Sequence, residues 1–328
     1  MAVLGLTQLT LLDWAKRTTP DGSVETMIAE MLSQDNEILH DVVYREGNLP
    51  TGHMVVQRVS LPVVSERALN AGAQLSSSGT AQVTETCSMI EGYSRIDVDV
   101  ARLNGDSAAF RLSEDSAFIE AMNQTQARAL FYGNPANDPR QYMGLTPRYN
   151  ALNAGNAQNI LDGGGTASNN TSIWIVAWGE QTVFCPFPKG SKAGLQVYDD
   201  GLMTVQDANG NPYKVFQSHF KWDSGLALKD WRSVCRISNV NVANLVSETG
   251  AADIVKLISR GLDRIKIKGG RLAIYMNPTV YSALRIQALN KSSNALAIEK
   301  ALTQFGNHES WLTFFGIPIR KVEALLNT

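Results

Sequence analysis

Hydrophobic positions along the chain follow two different periods, and the helical period is clearest between residues 113 and 132. Apolar side chains recur there every three or four residues, which predicts a helix with Ser113 as its N-cap. Gly133 is expected to end this helix in the left-handed conformation, and Pro135 prevents a restart. At about 1.5 Å per residue the helix would be roughly 30 Å long. Its predicted apolar face comprises Phe118, Ala121, Met122, Thr125, Ala129 and Tyr132.

The period changes to two between residues 51 and 104. Residues 54–59 and 94–100 alternate apolar and polar side chains, which predicts two strands. Residues 68–80, which lie between them, are too poor in large apolar side chains to build a core of their own. A long two-stranded extension is at most marginally stable by itself. We therefore expect this segment to lie on another surface.

The second half of the chain mixes strands and helices. Residues 172–187 form an apolar, strand-like run, and residues 195–220 predict a hairpin around a turn-rich connection. After residue 241 the pattern reads helix, strand, helix, strand, and Asn277 is the expected N-cap of the second helix, with Pro278 at its first position. Residues 1–50 read as an arm with short helices, one of them amphipathic over residues 24–39.

Composition narrows the class of protein only slightly. With 328 residues the chain predicts one large domain or two intermingled ones. Charged residues make up 18%, below the usual quarter. A weakly charged polar surface suits a protein that buries much of itself against its own copies, although it also suits many enzymes.

Charge is distributed unevenly. Residues 1–188 carry 11 Lys and Arg against 20 Asp and Glu, whereas residues 189–328 carry 18 against 11. Such an asymmetry often marks a nucleic-acid-binding half, but the basic residues here form no run of about five or six. Complementary surfaces that meet between subunits are the preferred interpretation.

The chain offers little catalytic or metal chemistry. Its four His residues are isolated, and Gly163-Gly164-Gly165 lacks the strand, helix and Lys of a phosphate-binding loop. The carboxylate pairs Asp97/Asp99 and Asp199/Asp200 occupy a polar strand face and a turn, which are common solvated positions. We therefore predict no catalytic residue, no metal ligand and no cofactor.

The cysteines and the hydropathy pattern bear on the compartment. Cys87, Cys185 and Cys235 are far apart and form no CxxC pair, which indicates buried thiols in a reducing compartment. No signal-peptide pattern opens the sequence, and no window approaches about 18 continuous apolar residues, so no membrane-spanning helix is predicted.

Several of these segments carry a family resemblance. The long helix, its Gly-Asn-Pro stop and the Gly144-Leu145 loop resemble the spine-helix region of tailed-bacteriophage major capsid proteins. The run HFKWDSGLALKDWRSVCRISNV at residues 219–240 is similar to a strand-turn-strand of short-tailed phage capsid proteins. The MNPTVYSALR helix and the GIPIRKVEAL strand match the same family.

The resemblance implies an α+β fold of the Hong Kong ninety-seven-like type, with an N-terminal arm, an extended loop (E-loop), a peripheral (P) domain and an axial (A) domain. The expected bounds are residues 1–50 for the arm, 51–104 for the extended loop, 105–150 plus 310–328 for the peripheral domain with its spine helix, and 151–309 for the axial domain.

The implied function is that of a major capsid protein whose pentamers and hexamers form an icosahedral shell around double-stranded DNA, contacted without sequence specificity. The shell would assemble in the bacterial host cytoplasm with separate decoration, scaffolding and portal proteins, and without a membrane. An encapsulin-type compartment shares the fold and remains an alternative, as does a cytosolic enzyme with a carboxylate site. The candidate inter-subunit contact residues are Trp14, Arg58, Arg67, Arg95, Trp222, Trp231 and Arg232.

Two further expectations concern how the shell is made and held. Because the amphipathic arm begins within about ten residues of Met1, we expect no removed N-terminal scaffolding segment. Some members of this fold join a loop Lys to an Asn of a neighbouring subunit. No Lys occurs here between Lys16 and Lys189, so the extended loop has no side-chain amine for that reaction.

Overall fold

The computed structural model describes residues 32–103, 107–166, 168–207, 209–266, 269–290, 296–302 and 308–327. Most of the predicted N-terminal arm, including Trp14, lies outside these residues. The helices are α1 Ile38–Asp41, α2 Val98–Arg102, α3 Ser107–Tyr132, α4 Leu145–Arg148, α5 Val242–Ser247, α6 Ile254–Arg264 and α7 Pro278–Asn290, with short 3₁₀ turns at Ala157–Asn159 and Trp231–Ser233.

The strands belong to two sheets. They are β1 Tyr44–Glu46, β2 Gly52–Ser60, β3 Gly79–Asp97, β4 Ile160–Asp162, β5 Asn170–Trp178, β6 Val183–Phe187, β7 Leu195–Gln206, β8 Pro212–Gly225, β9 Ala227–Leu228, β10 Val234–Asn241, β11 Arg271–Met276, β12 Leu296–Leu302, β13 His308–Phe314 and β14 Ile317–Lys321. One sheet has the path β1-β6-β5-β11-β14-β13-β12, with β10, β4 and β9 attached beside it, and the other has the order β2-β3-β8-β7.

The chain divides into two compact units. The first unit comprises Met1–Gln34, Met89–Gln126 and Gly194–Asp223, and the second comprises Asp35–Ser88, Ala127–Ala193 and Ser224–Thr328.

The second unit is built around β5, which lies between two hydrophobic cores. Trp174, Val176 and Trp178 point into one core, whereas Ile173 and Ile175 point into the other, and all five are almost completely buried. β5 pairs antiparallel with both β10 and β11. A strand covered on both faces needs a continuous apolar run rather than an alternation. This explains the unbroken apolar sequence of the predicted strand.

The long helix exists as predicted, but its start and its buried face differ from the prediction. α3 begins at Ser107, so Ser113 is an interior residue and not the N-cap. Residues 107–112 are mostly good helix formers, and nothing in them stops the helix before Ser113. Ala121 and Thr125 are exposed. Within residues 113–132 the buried positions are Met122, Gln126, Ala127, Leu130 and Phe131, so the face is rotated by about one residue.

The loop after α3 folds back on the helix end and explains two glycines. Gly133 does end the helix, but it is not among the residues with positive φ. A Cβ on Gly133 would lie 2.5 Å from the Tyr142 carbonyl oxygen, and one on Gly144 would lie 2.7 Å from the Ala129 carbonyl oxygen. The Gly144 amide donates to the Gly133 carbonyl at 2.7 Å. Close backbone approach, not left-handed geometry, therefore requires glycine here.

The first unit packs residues 107–126 of α3 beside β3, β8 and β7. The Phe118 and Phe220 rings stack with centroids 5.7 Å apart, and the Ser218 hydroxyl donates to Asp115 Oδ2 at 2.9 Å. A small core of Ile96, Ala101 and Phe110 lies in the same unit.

Two local predictions are corrected, and one hairpin was missed. Residues 98–100 were expected to extend a strand, but they form α2 because the Asp97 carboxylate accepts a hydrogen bond from the Asp99 amide and caps a helix. Residues 32–37, expected to be helical, are not, because Asn36 bridges to Val322 and the Glu37 amide donates to Lys321. The hairpin β12–β13 was not predicted.

The start of α7 follows the prediction. Asn277 Oδ1 accepts a hydrogen bond from the Thr279 amide at 2.9 Å, and Pro278 is the first helical residue. The predicted hairpin of β7 and β8 is also present, and the Asp207 carboxylate accepts from the Asn211 amide in its turn.

Candidate assembly surfaces

A groove of about 890 Å³ lies along the outer edge of β2 in the second unit. Residues 56–61 form one wall, and Gln181 together with residues 229–232 forms the other. Three of the predicted contact residues, Arg58, Trp231 and Arg232, therefore line a single groove. Sequence separation gave no indication of this, because Arg58 precedes the other two by more than 170 positions.

Positive charge predominates in this groove. The Arg232 guanidinium donates two hydrogen bonds to the Asp230 carboxylate, at 2.9 and 3.0 Å. Arg58, by contrast, forms no ion pair with any described residue. Lys229 Nζ donates to the neutral Gln181 amide oxygen at 3.2 Å. Burial and the nearby Arg45 lower the pKa of Lys229, against the opposing effect of Glu180. A carboxylate placed in the groove would relieve this unbalanced charge.

The Trp231 ring is half-buried at the groove wall. Its backbone carbonyl accepts a hydrogen bond from the Tyr149 hydroxyl at 2.6 Å, and the Asp230 carboxylate caps the short turn that holds it. Burial raises the pKa of Tyr149, so the phenol stays a hydrogen-bond donor. The turn that presents Trp231 and Arg232 is thus anchored to the core.

A cluster of cations surrounds Phe184 in the same unit. Arg45 and Lys229 lie over its ring at 5.7 and 5.6 Å, and the His53 ring meets it edge-on at 5.2 Å. Burial lowers the pKa of His53, and the positive charges of Arg45 and Lys229 lower it further, although Glu85 opposes them. His53 is buried and is therefore neutral in the folded protein.

We expect His53 to make the fold acid-sensitive. Its folded pKa lies below 6.5, so the unfolded chain binds the proton first as the pH falls. The His53 contribution is fully present above the unfolded pKa and is lost as the pH falls towards the folded pKa. Guanidinium unfolding of the full-length chain at about pH 7.5 and about pH 5.5 should show a smaller loss of stability in His53→Gln than in the unchanged protein. His40→Gln, at an exposed site, is the control, and equal losses in all three proteins would contradict the assignment.

Arg95 lies on an exposed face of the first unit. Its Nε donates to Gln217 Oε1 at 2.7 Å, and its guanidinium carbon lies 5.9 Å from the centre of the Tyr93 ring. Tyr93 stacks on His219 with centroids 4.4 Å apart. Arg95 therefore remains exposed within an aromatic and polar patch.

The remaining candidates have different surroundings. Arg67 is exposed in the loop between β2 and β3, whereas Trp222 is only 6% exposed and offers little surface to a partner. Trp14 lies outside the described residues. The structure thus places three of the seven candidates along one groove.

The edge strand β7 carries an exposed surface that the sequence analysis did not single out. Residues 197–200 and 202–204 are exposed on both faces of the strand. Val197 is 52% exposed and Leu202 is 49% exposed, together with Tyr198 and Met203. Two exposed faces are unusual for a strand with this many large apolar side chains, and the sequence pattern alone did not reveal them.

The carboxylate pairs considered for an enzyme have partners within the fold. Asp97 caps α2, and Asp199 binds the Arg111 guanidinium at 2.6 Å. The Gly201 amide and Arg111 lower the pKa of Asp199. Asp200 accepts a hydrogen bond from the Gln217 amide at 2.7 Å. These interactions give Asp97, Asp199 and Asp200 structural roles within the fold.

Cys185 and Cys235 are buried, and burial raises the pKa of Cys235 to about 12 and the pKa of Cys185 as well. Within the described ranges no three His, Cys, Asp or Glu side chains are grouped as metal ligands. The helices of those same ranges include none with the length and apolarity to cross a bilayer.

Comparison with known proteins gives a family and a fold. The family model for major capsid protein GP7 matches residues 19–328. A capsid structure of bacteriophage Epsilon15 matches with a TM-score of 0.78 and 33% identity, and covers 100% of this chain and 98% of the other. No curated protein sequence matches.

More distant structures include a chain of Microbacterium phage Oxtober96, with a TM-score of 0.44 and 10% identity over 70% of this chain and 98% of that one. The SrpI encapsulin of Synechococcus elongatus has a TM-score of 0.41 and 12% identity, over 71% and 97%. Scores this low carry no argument about function. The family match and the Epsilon15 match together show that this chain belongs to the major capsid protein GP7 family and has the Hong Kong ninety-seven-like phage capsid fold.

Proposed function

We propose that copies of this virion protein close into pentamers and hexamers that tile an icosahedral shell around a double-stranded DNA genome. In this proposal residues 51–104 form the extended loop, residues 105–150 and 310–328 the peripheral domain, residues 151–309 the axial domain, and residues 1–50 the arm. The family assignment favours a phage shell over an encapsulin-type compartment or a cytosolic enzyme.

The observation that carries this proposal is the surface of the loop between β2 and β3. Every residue from 58 to 78 is exposed. Val64 is 93%, Leu69 93% and Leu75 98% exposed. Exposed large apolar side chains on a single segment indicate an interaction surface. In a closed shell, neighbouring subunits would cover these side chains, and each buried side chain would contribute about 1.5–3 kcal/mol before ordering costs.

A triple substitution tests the proposal. Val64→Ser, Leu69→Ser and Leu75→Ser together remove apolar surface that the isolated chain does not use for its own core. We expect a folded chain that no longer forms closed particles in negative-stain microscopy and sedimentation. The control changes the exposed neighbours Ala71, Ala73 and Gln74 to Ser, and it should assemble normally. All three proteins are produced together with the phage's other assembly proteins, and normal particles from the first variant, or none from the unchanged protein, would contradict the proposal.

The finer partner assignments follow the family resemblance. We propose that assembly takes place in the host cytoplasm with separate scaffolding, portal and decoration proteins, and that DNA is enclosed without sequence-specific contacts. The absence of long basic runs supports the last point. We further propose that the role is mechanical and not catalytic, since three of the four carboxylates considered for catalysis cap a helix or bind Arg and Gln within the fold.

Shells of this protein should be held without covalent cross-links. Residues 17–188 contain no Lys, so no loop amine can attack an Asn of a neighbouring subunit, and Arg stays protonated at ordinary pH. Mature particles boiled in detergent should run as a single band at 35.8 kDa. A ladder of oligomers that survives reductant would show that another amine takes part.

A further inference from the structure

A cavity of about 270 Å³ opens in the second unit between the end of α5, the segment that leads into α6, and α7. Its walls are aliphatic and comprise Leu245, Ala251, Ala283 and Ile286. Among the described residues, no aromatic side chain, Lys or Arg lines it. Small-molecule sites usually begin at about 300 Å³, so this cavity suits one unbranched chain rather than a nucleotide or a bulky cofactor.

Three polar side chains also line the cavity, and two of them already have partners. Gln287 Oε1 accepts a hydrogen bond from the Ile254 amide at 3.2 Å, and its Nε2 donates to the Ala252 carbonyl at 3.0 Å. Asp253 Oδ1 accepts from the Lys256 amide, and Asp253 Oδ2 binds the Lys256 ammonium at 3.2 Å. One lining carboxylate therefore already holds an alkylammonium group from its own chain.

Glu248 is the third polar side chain, and its carboxylate forms no hydrogen bond or ion pair with any described residue. Local folding does not favour a glutamate at this position. Its backbone is left-handed, with a φ of 57° and a ψ of 7°, a conformation in which glycine is preferred. It also follows the last residue of α5, where the carbonyl ends of a helix disfavour a negative charge. The cavity thus keeps one carboxylate that its own chain does not neutralise.

We propose that this cavity binds an alkylammonium group, with the ammonium on the Glu248 carboxylate and the hydrocarbon chain against Leu245 and Ile286. Such a group combines an apolar stem with a charged head, which matches aliphatic walls beside a free carboxylate. An anion would instead meet the like charges of Glu248 and Asp253.

The ligand is defined by its chemistry, and two sources can supply it. One is a lysine side chain of a neighbouring subunit, and the other is a free aliphatic amine. Because Glu248 is exposed, its ion pair with a free amine should be weak, and we expect a Kd near about 1 mM. The inference does not depend on the proposed shell function.

Binding of n-butylammonium to the full-length, unassembled chain tests the site. Saturation-transfer NMR should show half-saturation near about 1 mM, whereas n-butanol and butyrate should bind at least about tenfold more weakly. Glu248→Gln keeps the size of the side chain but removes its charge, and it should weaken n-butylammonium binding at least about tenfold. Ile286→Ser, at a position that is 43% exposed, should weaken it by about threefold or more.

The matched control is Glu180→Gln, which removes an exposed carboxylate elsewhere in the second unit and should leave n-butylammonium binding unchanged. Both glutamates are exposed, so the variants should fold. Binding of n-butanol as strong as that of n-butylammonium, or undiminished binding by Glu248→Gln, would overturn the inference.

Assembled particles distinguish the two sources of the ammonium. If a lysine of a neighbouring subunit fills the cavity, the unassembled chain should bind n-butylammonium, closed particles should not, and Glu248→Gln should lower particle yield. If a free amine is the ligand, chain and particles should both bind it, and the yield of Glu248→Gln should be unchanged. Normal particles from a chain that binds no amine in the unassembled state would overturn the site and leave the shell function intact. Amine binding by a chain that forms no particles would contradict the shell function alone.

Discussion

Replacement of Arg148 by Ala is expected to destabilise the chain by about 3–5 kcal/mol, because it leaves a buried carboxylate without its cation. The Arg148 guanidinium binds both oxygens of Glu85 at 2.6 and 2.7 Å, and it also donates to the Leu226 carbonyl at 3.0 Å. The two side chains are 12% and 7% exposed. Unfolding of the full-length chain in guanidinium, followed by tryptophan fluorescence, measures the loss.

Matched variants separate the ion pair from simple loss of packing. Arg148→Lys keeps the positive charge but not the paired hydrogen bonds to both oxygens of Glu85. It should therefore lower the free energy of unfolding less than Arg148→Ala does, but more than a substitution at an exposed site. In a double-mutant cycle, Glu85→Ala and Arg148→Ala together should cost clearly less than the sum of the two single changes. Additive losses would show that the pair contributes no coupling. The structural consequence is that β3, at the base of the predicted extended loop, is fixed to the segment that follows the long helix.

The sequence predicted most elements whose burial repeats regularly. β5 and β11 show the continuous apolar run of buried strands, α6 shows the helical period of its buried face, and the Asn277-Pro278 start of α7 was recognisable from local capping chemistry. The hydrophobic pattern gave the wrong element where the alternation of side chains and a nearby helix cap favour different structures. Residues 98–100 alternate like a strand, but the Asp97 cap commits them to a helix. α3 also contains many small side chains, which do not mark one face of the helix clearly. The predicted buried face therefore differed from the observed one by about one position.

The contacts between distant residues were not predictable from one sequence. Glu85 and Arg148 are 63 positions apart, and each looks like an ordinary exposed charge in its own segment. The same holds for the groove, where Arg58 meets Trp231 and Arg232 only through the fold. These three residues were selected for charge and size, not for proximity. The exposed faces of β7 went unnoticed because its alternation reads as a half-buried strand.

The second large effect is expected at Asp41, which is 2% exposed and is the centre of a buried polar network. Arg271 reaches its Oδ1 at 2.9 Å, Arg320 its Oδ2 at 3.2 Å, and the Tyr275 hydroxyl donates to Oδ2 at 3.0 Å. Trp178 Nε1 in turn donates to the Tyr275 hydroxyl at 2.7 Å. Burial raises the pKa of Tyr275, and the Asp41 charge raises it further, so the phenol remains a donor.

Asp41→Ala should therefore cost about 3–5 kcal/mol, because it removes the buried carboxylate of the mostly buried Arg320 guanidinium, whose contact with Glu37 at 3.4 Å is longer, and also removes the acceptor of Tyr275. Asp41→Asn retains one acceptor oxygen and should cost less. The two arginines provide an internal comparison. Arg271 is 63% exposed and its removal should cost about 0–1 kcal/mol, whereas removal of Arg320, at 13%, should cost several times more. Equal losses for Arg271→Ala and Arg320→Ala in guanidinium unfolding would contradict this account, in which burial of the pair, and not its geometry, determines how strongly α1 is held to β11 and β14.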